Sequence, residues 1–530
     1  MSSPSLRELF YQKKFLFTFE LVPGRSVRTR HYQEILKFLN ISPKFGYFEA
    51  FSITDNAGGH PALSPIPLGR TIKDLGLEAI VHFSCKDKNR NQLESELLAL
   101  DREGLHNLLV LTGDYPFYGY QGKAKPVFDL DSVQLLQMIT QMERGIELPK
   151  EAPGGGVKLP AIPFFKGAVV NPFKLTLSEI WWQYLKLYKK LKAGAYFIIT
   201  QVGFAPKKWM ELKHLLDVGI TYIFSKFLER EEIHVKDEDD IFREIPLLGS
   251  VLYLTPSLVK AILRGKIPGI LITKEVLRKF EKRDPWEEVS LEICAQLSAI
   301  LKGLGFRGVH LCGMPLDYEL LSRFLDKFYL YESRWEEYLS EFEEAIVKIE
   351  LPNGTLMREL PCLLKNGLDL NYRGRKRPFF YLNEIIHRLF FDQKSPLFPL
   401  TKRILEVIEK NRSLREIFTR LEYFIKRLLF NCQECGDCTL WEFNYSCPQS
   451  ECAKYLLNGP CGGSIGGYCE VYPFQKKCHF VAAFERAPKK EDIYKFFRPG
   501  GDFILKPRNW ALYKSSSWLN FYFGRDHHSP

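Results

Sequence analysis

The sequence predicts an α/β protein: a (β/α)8 TIM barrel, then a mostly helical region and a small cysteine-rich metal-binding domain. Three observations carry that prediction. Short apolar segments alternate with longer amphipathic stretches between residues 15 and 315. Most of these segments end on a polar residue. Eight of the twelve cysteines crowd into residues 432–478.

The apolar segments are FLFTFELV (15–22), YFEAFSITD (47–55), AIVHFSC (79–85), NLLVLTG (107–113), FKGAVVN (165–171), AYFIITQV (195–202), PLLGSVLYL (246–254) and GVHLCG (308–313). Eight is the number that closes a parallel barrel. An open doubly wound sheet more often carries G-x-G-x-x-G after its first strand, and none follows here. At the carboxyl ends stand Glu20, Thr54 with Asp55, His82, Asp114, Asn171 and Gln201. In a barrel these ends converge on one face, where active sites are built. One such residue says little. The whole group predicts a site.

Residues 142–164 are expected to form a long loop over that same face. The segment 203–245 reads as a helix followed by FSKFLEREEIHVKDEDDIFRE, a charge run expected to be a solvated excursion. Beyond 315 the pattern turns helical. Trp335, Leu339, Phe342 and Ile346 fall on one helical stripe, and 350–398 reads as irregular and aromatic-rich. Ser413 and Glu416 have capping-box spacing before a helix with Ile417, Phe418, Leu421, Phe424, Ile425 and Leu428 on its apolar side. That helix runs into Cys432, so it is expected to pack on the barrel and hold the cysteines near it. The basic tail, with Trp510, Trp518, Phe521, Tyr522 and Phe523, is expected to cover the protein's own core. The expected domains are a barrel at 1–318, a helical connection at 319–430, a cysteine-rich domain at 431–490 and a tail at 491–530.

The clustered cysteines are Cys432, Cys435, Cys438, Cys447, Cys452, Cys461, Cys469 and Cys478. The opening Cys-x2-Cys-x2-Cys brings three thiolates to one point. Cys447 precedes Pro448, as the last ligand often does in bacterial-type iron–sulfur loops, although eight residues rather than three separate it from Cys438. The later four, with Gly462, Gly463, Gly466 and Gly467 among them, are spaced for a second metal-binding knot. No secretory signal opens the chain, and in a reducing cytosol clustered thiols bind metal more often than they pair. The spacings suit a [4Fe–4S] cluster, and zinc on four thiolates accounts for them too.

A chain of 530 residues implies two or three domains. No apolar run reaches the roughly 18 residues of a spanning helix, so a cytoplasmic protein with no membrane span is expected. A formal charge of +11 suits an anionic cofactor, a polyanionic substrate or an acidic partner. No nucleic-acid-binding motif is present, and no nucleic acid is expected as a partner.

The strand-end segments resemble the methylenetetrahydrofolate reductases, flavin-dependent enzymes on a (β/α)8 barrel. FELVPGR (19–25) looks like that family's FEFFPPR, SITDNAGG (52–59) like SVTYGAGG, and HFSC (82–85) like HLTC. LTGD (111–114) is similar to LRGD, GAVVNP (167–172) to GAAxNPE, KAGAYFIITQ (192–201) to KVDAGADFIITQ, and GVHLCGM (308–314) to GVHFYTM. The cysteine segment resembles the C-terminal domain in the reductases of some anaerobes and in the small partner subunit of acetogens, with its CxxCGxC…NGPCGG…GxCEV signature.

The resemblance implies reduction of 5,10-methylenetetrahydrofolate to 5-methyltetrahydrofolate by hydride from a reduced flavin, FAD or FMN. Glu20 matches the family acid, which must protonate the departing nitrogen from a partly desolvated site with a raised pKa. Asp114 matches the aspartate between flavin and pterin, and Gln201 would pair with the pterin amide edge. Thr54, His82, Thr112 and Gly113 would line the flavin. Ala168 and Asn171 stand where the family's flavin-contacting loop lies, and Lys190 would meet the flavin phosphate. Three departures stand out: LVPG replaces FFPP, Thr112 replaces the arginine of LRGD, and Gln183 replaces an acid.

A barrel alone would take hydride from NAD(P)H. An iron–sulfur cluster beside it would relay electrons from ferredoxin or a redox partner subunit, whereas zinc would make the knot a structural or docking element. An oligomer is expected. The alternatives are a zinc-dependent barrel methyltransferase, for which Cys85 and Cys312 alone do not suffice, and a non-catalytic scaffold subunit, against which Glu20, Asp114 and Gln201 argue.

Overall fold

The computed structural model describes residues 5–12, 15–147, 150, 155–220, 224, 240–282, 285–342, 345–363, 378–496 and 504–528. Eight parallel strands close a barrel in sequence order: β1 Leu16–Leu21, β2 Ala50–Ile53, β3 Glu78–Ser84, β4 Asn107–Leu111, β5 Phe165–Val170, β6 Phe197–Thr200, β7 Leu247–Leu252 and β8 Gly308–Cys312. β8 closes on β1 with Leu16 opposite Gly308 and Phe19 opposite Leu311. The fold class is the predicted one, and every strand falls on its expected segment.

The two-residue period of a strand divides each segment between two layers. In β1, Phe17, Phe19 and Leu21 join the packing between barrel and helices, while Leu16 turns into the barrel. Leu16, Ala50, Ile80, Leu109, Phe165, Phe197, Ile199 and Leu248 form one inner cluster, sealed by Leu6 and Phe10 of the helix Leu6–Gln12. Phe10 lies 5.6 Å from the Phe165 ring and 5.0 Å from the Phe197 ring. Burying two such side chains contributes roughly 1.5–3 kcal/mol each. The amino end of the barrel is therefore an apolar plug, and polar chemistry is confined to the other end.

Several expectations are corrected. The 145–164 connection, described at 145–147, 150 and 155–164, leads from a helix into β5, so its described residues lie at the amino end of the strands, opposite the site face. It is pinned there by Leu159 N–H to Ile146 O (2.7 Å) and Ile162 N–H to Met142 O (3.1 Å). The expected excursion at 224–244 lies mostly outside the described residues. Ile346 does not continue a helical stripe from Trp335: the helix stops at Leu339, and Ile346 belongs to β9 (Ala345–Glu350), paired antiparallel with β10 (Leu356–Glu359). Within the stretch read as irregular, Pro378–Phe390 is a helix.

The helix Arg412–Phe430 departs furthest. Asn411 caps it, accepting from the Ser413 and Leu414 N–H groups, so Ser413 lies inside the helix and the Ser413–Glu416 capping box does not form. Its apolar stripe faces outward, with Ile417 63%, Leu421 53%, Phe424 68% and Leu428 77% exposed. The buried face is Glu422, Tyr423 and Lys426. That face is stable because its charges are satisfied: Lys426 bonds Glu422 at 2.8 Å, and Ser516 and Ser517 donate hydroxyls to the Glu422 carboxylate. Phe418 does find a partner in Trp518, 5.8 Å away. The tail helix Ser517–Tyr522 packs Leu519 and Tyr522 against Leu405, covering this helical region.

What holds the cysteine domain to the barrel is the helix Leu177–Lys192, buried along nearly its whole length. Trp182 Nε1 donates to Phe480 O at 2.8 Å, and its ring lies 5.0 Å from that of Phe480. Among the described residues no helix is long and apolar enough to cross a membrane.

Candidate functional site

At the polar end of the barrel, Glu20, His82 and His310 project from β1, β3 and β8. His310 Nε2 lies 3.8 Å from Glu20 Oε2 and 3.4 Å from Ser52 Oγ. The Thr18 hydroxyl donates to Val309 O, so its oxygen accepts from His310 Nδ1–H at 2.9 Å. That bond orients the ring and aims Nε2 at Glu20. Burial pushes the Glu20 carboxyl up, but the His310 hydrogen bond and charge, with smaller help from His82 and Cys312, outweigh it and hold the carboxyl below its ordinary range. The raised value expected of a lone acid is not found, because Glu20 is half of a pair.

His82 is the opposite case. Burial drives it down to about 4, leaving a neutral imidazole. Its Nε2 and the Thr54 Oγ1 are buried without a hydrogen-bond partner. Two unpartnered polar atoms, one just beyond β2 and one on the adjacent β3, beside the Glu20–His310 pair, suit a bound group that offers complementary ones. Asp114 is exposed at the rim and accepts the Gly58 N–H at 2.8 Å. Thr112 donates to the Ser132 hydroxyl at 3.3 Å, and Gly113 O accepts Lys454 Nζ at 2.6 Å. Gln201 Oε1 is engaged by the Val202 N–H at 3.0 Å. Asp55 bonds the Ser84 backbone and hydroxyl and Lys88, a bracing role.

Three expected flavin contacts are corrected. Ala168 packs into the outer layer with the helices, because β5 turns its neighbours Gly167 and Val169 the other way. Asn171 spends Nδ2 on Gly269 O (3.1 Å) and Gly462 O (2.7 Å) and accepts the Phe173 N–H on Oδ1. Lys190 is buried and donates to Val169 O, and burial together with the Lys186 charge brings it down to about 7. It is not poised for a phosphate.

The cysteine segment sits on this mouth. Lys186 Nζ donates to Gly459 O and Pro460 O, both at 3.0 Å, and Lys174 Nζ to Gly462 O and Ser464 O. Asp131 accepts the Leu457 and Asn458 N–H groups at 3.1 and 2.8 Å. Barrel lysines thus hold the NGPCGG carbonyls, and a barrel carboxylate holds the amides before them. A Cβ on Gly463 would stand 1.8 Å from Glu470 Oε2 and 2.9 Å from Pro268 Cβ, so a larger residue there would displace Glu470 from its pairing with Lys454.

Among the described residues, none of the eight clustered cysteines is in a disulfide. Cys432, Cys435, Cys438 and Cys447 line one small cavity of about 20 Å3, with Lys426 and Arg508 in its wall. Donors point at the sulfurs: Arg508 Nη1 to Cys435 Sγ at 3.2 Å, Lys426 Nζ to Cys438 Sγ at 3.6 Å and the Glu434 N–H to Cys432 Sγ at 3.4 Å. Cys452, Cys461, Cys469 and Cys478 form the second set, each within electrostatic reach of others in it. The backbone N–H groups of Lys454 and Leu456 address Cys452, and those of Phe480 and Val481 address Cys478. Four thiolates on one zinc stand about 3.8 Å apart. No three cysteine sulfurs come within 4.8 Å of one another among the described residues, a wider spacing than one zinc needs.

Residues 5–228 match the family described as methylenetetrahydrofolate reductase, and residues 412–501 match methylene-tetrahydrofolate reductase C terminal. The chain belongs to the methylenetetrahydrofolate reductase family. No curated protein sequence matches it. Among solved structures, it is similar to an uncharacterized protein from Clostridium thermocellum that binds two copies of 5-methyl-5,6,7,8-tetrahydrofolic acid, at 12% identity and TM-score 0.39, covering 62% of this chain and 99% of that one. It is also similar to a 2,3-dimethylmalate lyase at 10% identity and TM-score 0.33, over 62% and 85% of the two chains. Both TM-scores are below 0.5, where a likeness says nothing about chemistry.

Within the methylenetetrahydrofolate reductase family pattern, two departures acquire a reason. Gln183 donates Nε2 to Cys461 O at 3.1 Å, where a carboxylate would have no proton to give. Lys454, from the cysteine segment, brings a cation to Gly113 and within reach of Asp114, the strand end from which Thr112 has removed an arginine. Sequence reasoning missed His310, Lys174, Lys186 and Lys454. His310 had a signal, since it shares the inward parity of Gly308 on β8; the lysines had none.

Proposed function

We propose that the chain reduces 5,10-methylenetetrahydrofolate to 5-methyltetrahydrofolate with a flavin bound at the barrel mouth and electrons entering through the cysteine sets. The observation that carries this reading is the Glu20–His310 pair, buried at the site end of a barrel of this family, with Thr54 and His82 unpartnered beside it. Thr54, His82, Thr112, Gly113 and Asp114 would hold the flavin, which when bound supplies the hydride. Ala168, Asn171 and Lys190 are left out.

Glu20 faces the substrate as the carboxylate of the Glu20–His310 pair, and the nitrogen that departs as the five-membered ring opens takes its proton from this pair. His310 Nε2 stands 3.8 Å from the Glu20 carboxylate and is the partner that holds it in place. Thr18 and Ser52 orient the imidazole. Asp114 holds negative charge at the rim, favouring loss of hydride from the site. Gln201 offers its amide N–H to the pterin edge.

Four thiolates in each set, with donors aimed at their sulfurs, suit a [4Fe–4S] cluster, and zinc on four thiolates is the second reading. The second set belongs to the loop bonded to Asn171 at the barrel rim, which supports a short path for single electrons from a ferredoxin-type donor.

The test begins with anaerobic purification, a visible spectrum and metal analysis. Flavin bands over a broad iron–sulfur shoulder, with reduced ferredoxin driving folate reduction, support the proposal. A colourless zinc protein without flavin refutes it. In the active preparation, Glu20→Gln should keep bound, reducible flavin and lose folate turnover.

A further inference from the structure

A second constellation of ligand-type side chains lies away from the barrel mouth and the cysteines, where the last described residues fold over the first cysteine set. Glu442, His527 and His528 bring one carboxylate oxygen and two imidazole nitrogens within 4.8 Å of one another. His527 Nε2 lies 3.5 Å and His528 Nε2 3.2 Å from Glu442 Oε1. Ligands on a tetrahedral zinc at about 2.0–2.1 Å stand about 3.3–3.4 Å apart, so the two separations bracket the edge of such a site.

The outer contacts have the same form. Asp437 Oδ1 bonds His527 Nδ1 at 2.6 Å and also accepts the His527 N–H at 3.2 Å, fixing the ring and directing Nε2 at Glu442. A carboxylate on the far nitrogen of a ligating histidine is the usual arrangement around protein-bound zinc. Asp437, Glu442 and His527 are almost fully buried, and His527 Nε2 has no hydrogen-bond partner. His528 is 32% exposed, which opens a path to solvent and a fourth position for water.

We propose that Glu442, His527 and His528 form a third metal site, for a zinc-type divalent cation, distinct from both cysteine sets. Its position assigns it a structural task. Asp437 sits between Cys435 and Cys438, and its carbonyl accepts from Arg508 at 2.6 Å. A cation joining Glu442 to the two histidines would tie the tail across the loop that carries the first sulfur set. Gly436 marks how tightly the tail already lies there, since a Cβ on it would stand 1.9 Å from Leu512 O.

The competing arrangement is a metal-free ion pair, with a protonated His527 between two carboxylates. The two are separated by loading the full-length, anaerobically purified protein with zinc chloride and recording zinc X-ray absorption. The site predicts one zinc per chain with nitrogen and oxygen neighbours alone at about 2.0–2.1 Å. A His527→Gln/His528→Gln variant should lose that equivalent and keep its iron and sulfur-bound metal. If the double variant does not fold, Glu442→Gln serves, with cobalt chloride as probe. Wild type should then show visible cobalt bands without thiolate charge transfer, and the variant should lack them. Zinc bound only with sulfur at about 2.3 Å, or uptake equal in wild type and variant, would establish an ion pair alone and overturn the proposal.

Discussion

Gln183 donates its side-chain amide to the Cys461 carbonyl at 3.1 Å, so a barrel helix reads the backbone of the cysteine segment directly. Gln183→Glu would remove that donor and set a carboxylate against a carbonyl. A buried group left unsatisfied costs roughly 1–3 kcal/mol. The expected result is a lower denaturant midpoint and faster proteolysis within 454–464, with the barrel strands unaffected in hydrogen exchange. An unchanged cleavage rate would mean that the docking does not depend on this bond.

His310 sets the charge state of Glu20, and this has a pH signature. In the wild type the Glu20 carboxyl is held below its ordinary 4.5, so ionised Glu20 stabilises the fold above that pH and the contribution is lost as pH falls through the lowered value. In His310→Asn the opposing burial dominates and the Glu20 value should rise. The thermal midpoints of the two proteins, measured from pH 3 to 7, should therefore differ most at the neutral end and converge in acid. A constant gap across the range would contradict the pairing.

Lys190 titrates in a different window. Its folded value is about 7 against an ordinary 10.5, so between those values the unfolded chain binds more protons at this side chain. Its contribution to stability therefore rises with pH through that window. Lys190→Met should flatten the rise, with the variant gaining over wild type at pH 7 and losing that advantage near pH 10. Chemical denaturation at the two pH values measures it.

The two cysteine sets should load separately. Cys438→Ser should empty the first set and spare the second, and Cys469→Ser the reverse, each removing about half of the sulfur-bound metal. Metal analysis with electron paramagnetic resonance of the reduced proteins tells which signal has gone. Loss of all metal from either variant would mean one shared site.

Much of the site could be read from residue order. Glu20, Thr54 and His82 stand at barrel strand ends as expected, because a short β-strand exposes its last inward residue to the mouth. Ala168 fails for a reason already present in the sequence. It lies three residues from Asn171, and a two-residue period cannot turn both inward. The raised Glu20 carboxyl was expected from burial alone, and it is His310, contributed by the strand that closes the barrel, that reverses the sign. In the helix Arg412–Phe430 the apolar stripe is real, but its periodicity does not say whether that stripe or the Glu422–Lys426 face meets the protein.

What the sequence by itself determined is the barrel, its site end and the existence of two thiol sets. Those depend on strand period, strand number and the spacing of cysteines, all local properties of the chain. Only the tertiary structure decided that the NGPCGG loop sits on the barrel mouth, that Lys186, Lys174 and Gln183 hold its carbonyls, and that the tail closes over the first set. Those facts depend on pairs such as Asn171 with Gly462, 291 residues apart, whose hydrogen bonds satisfy groups that either segment alone would leave to water. Local spacing specifies which groups need partners; the three-dimensional packing selects the partners.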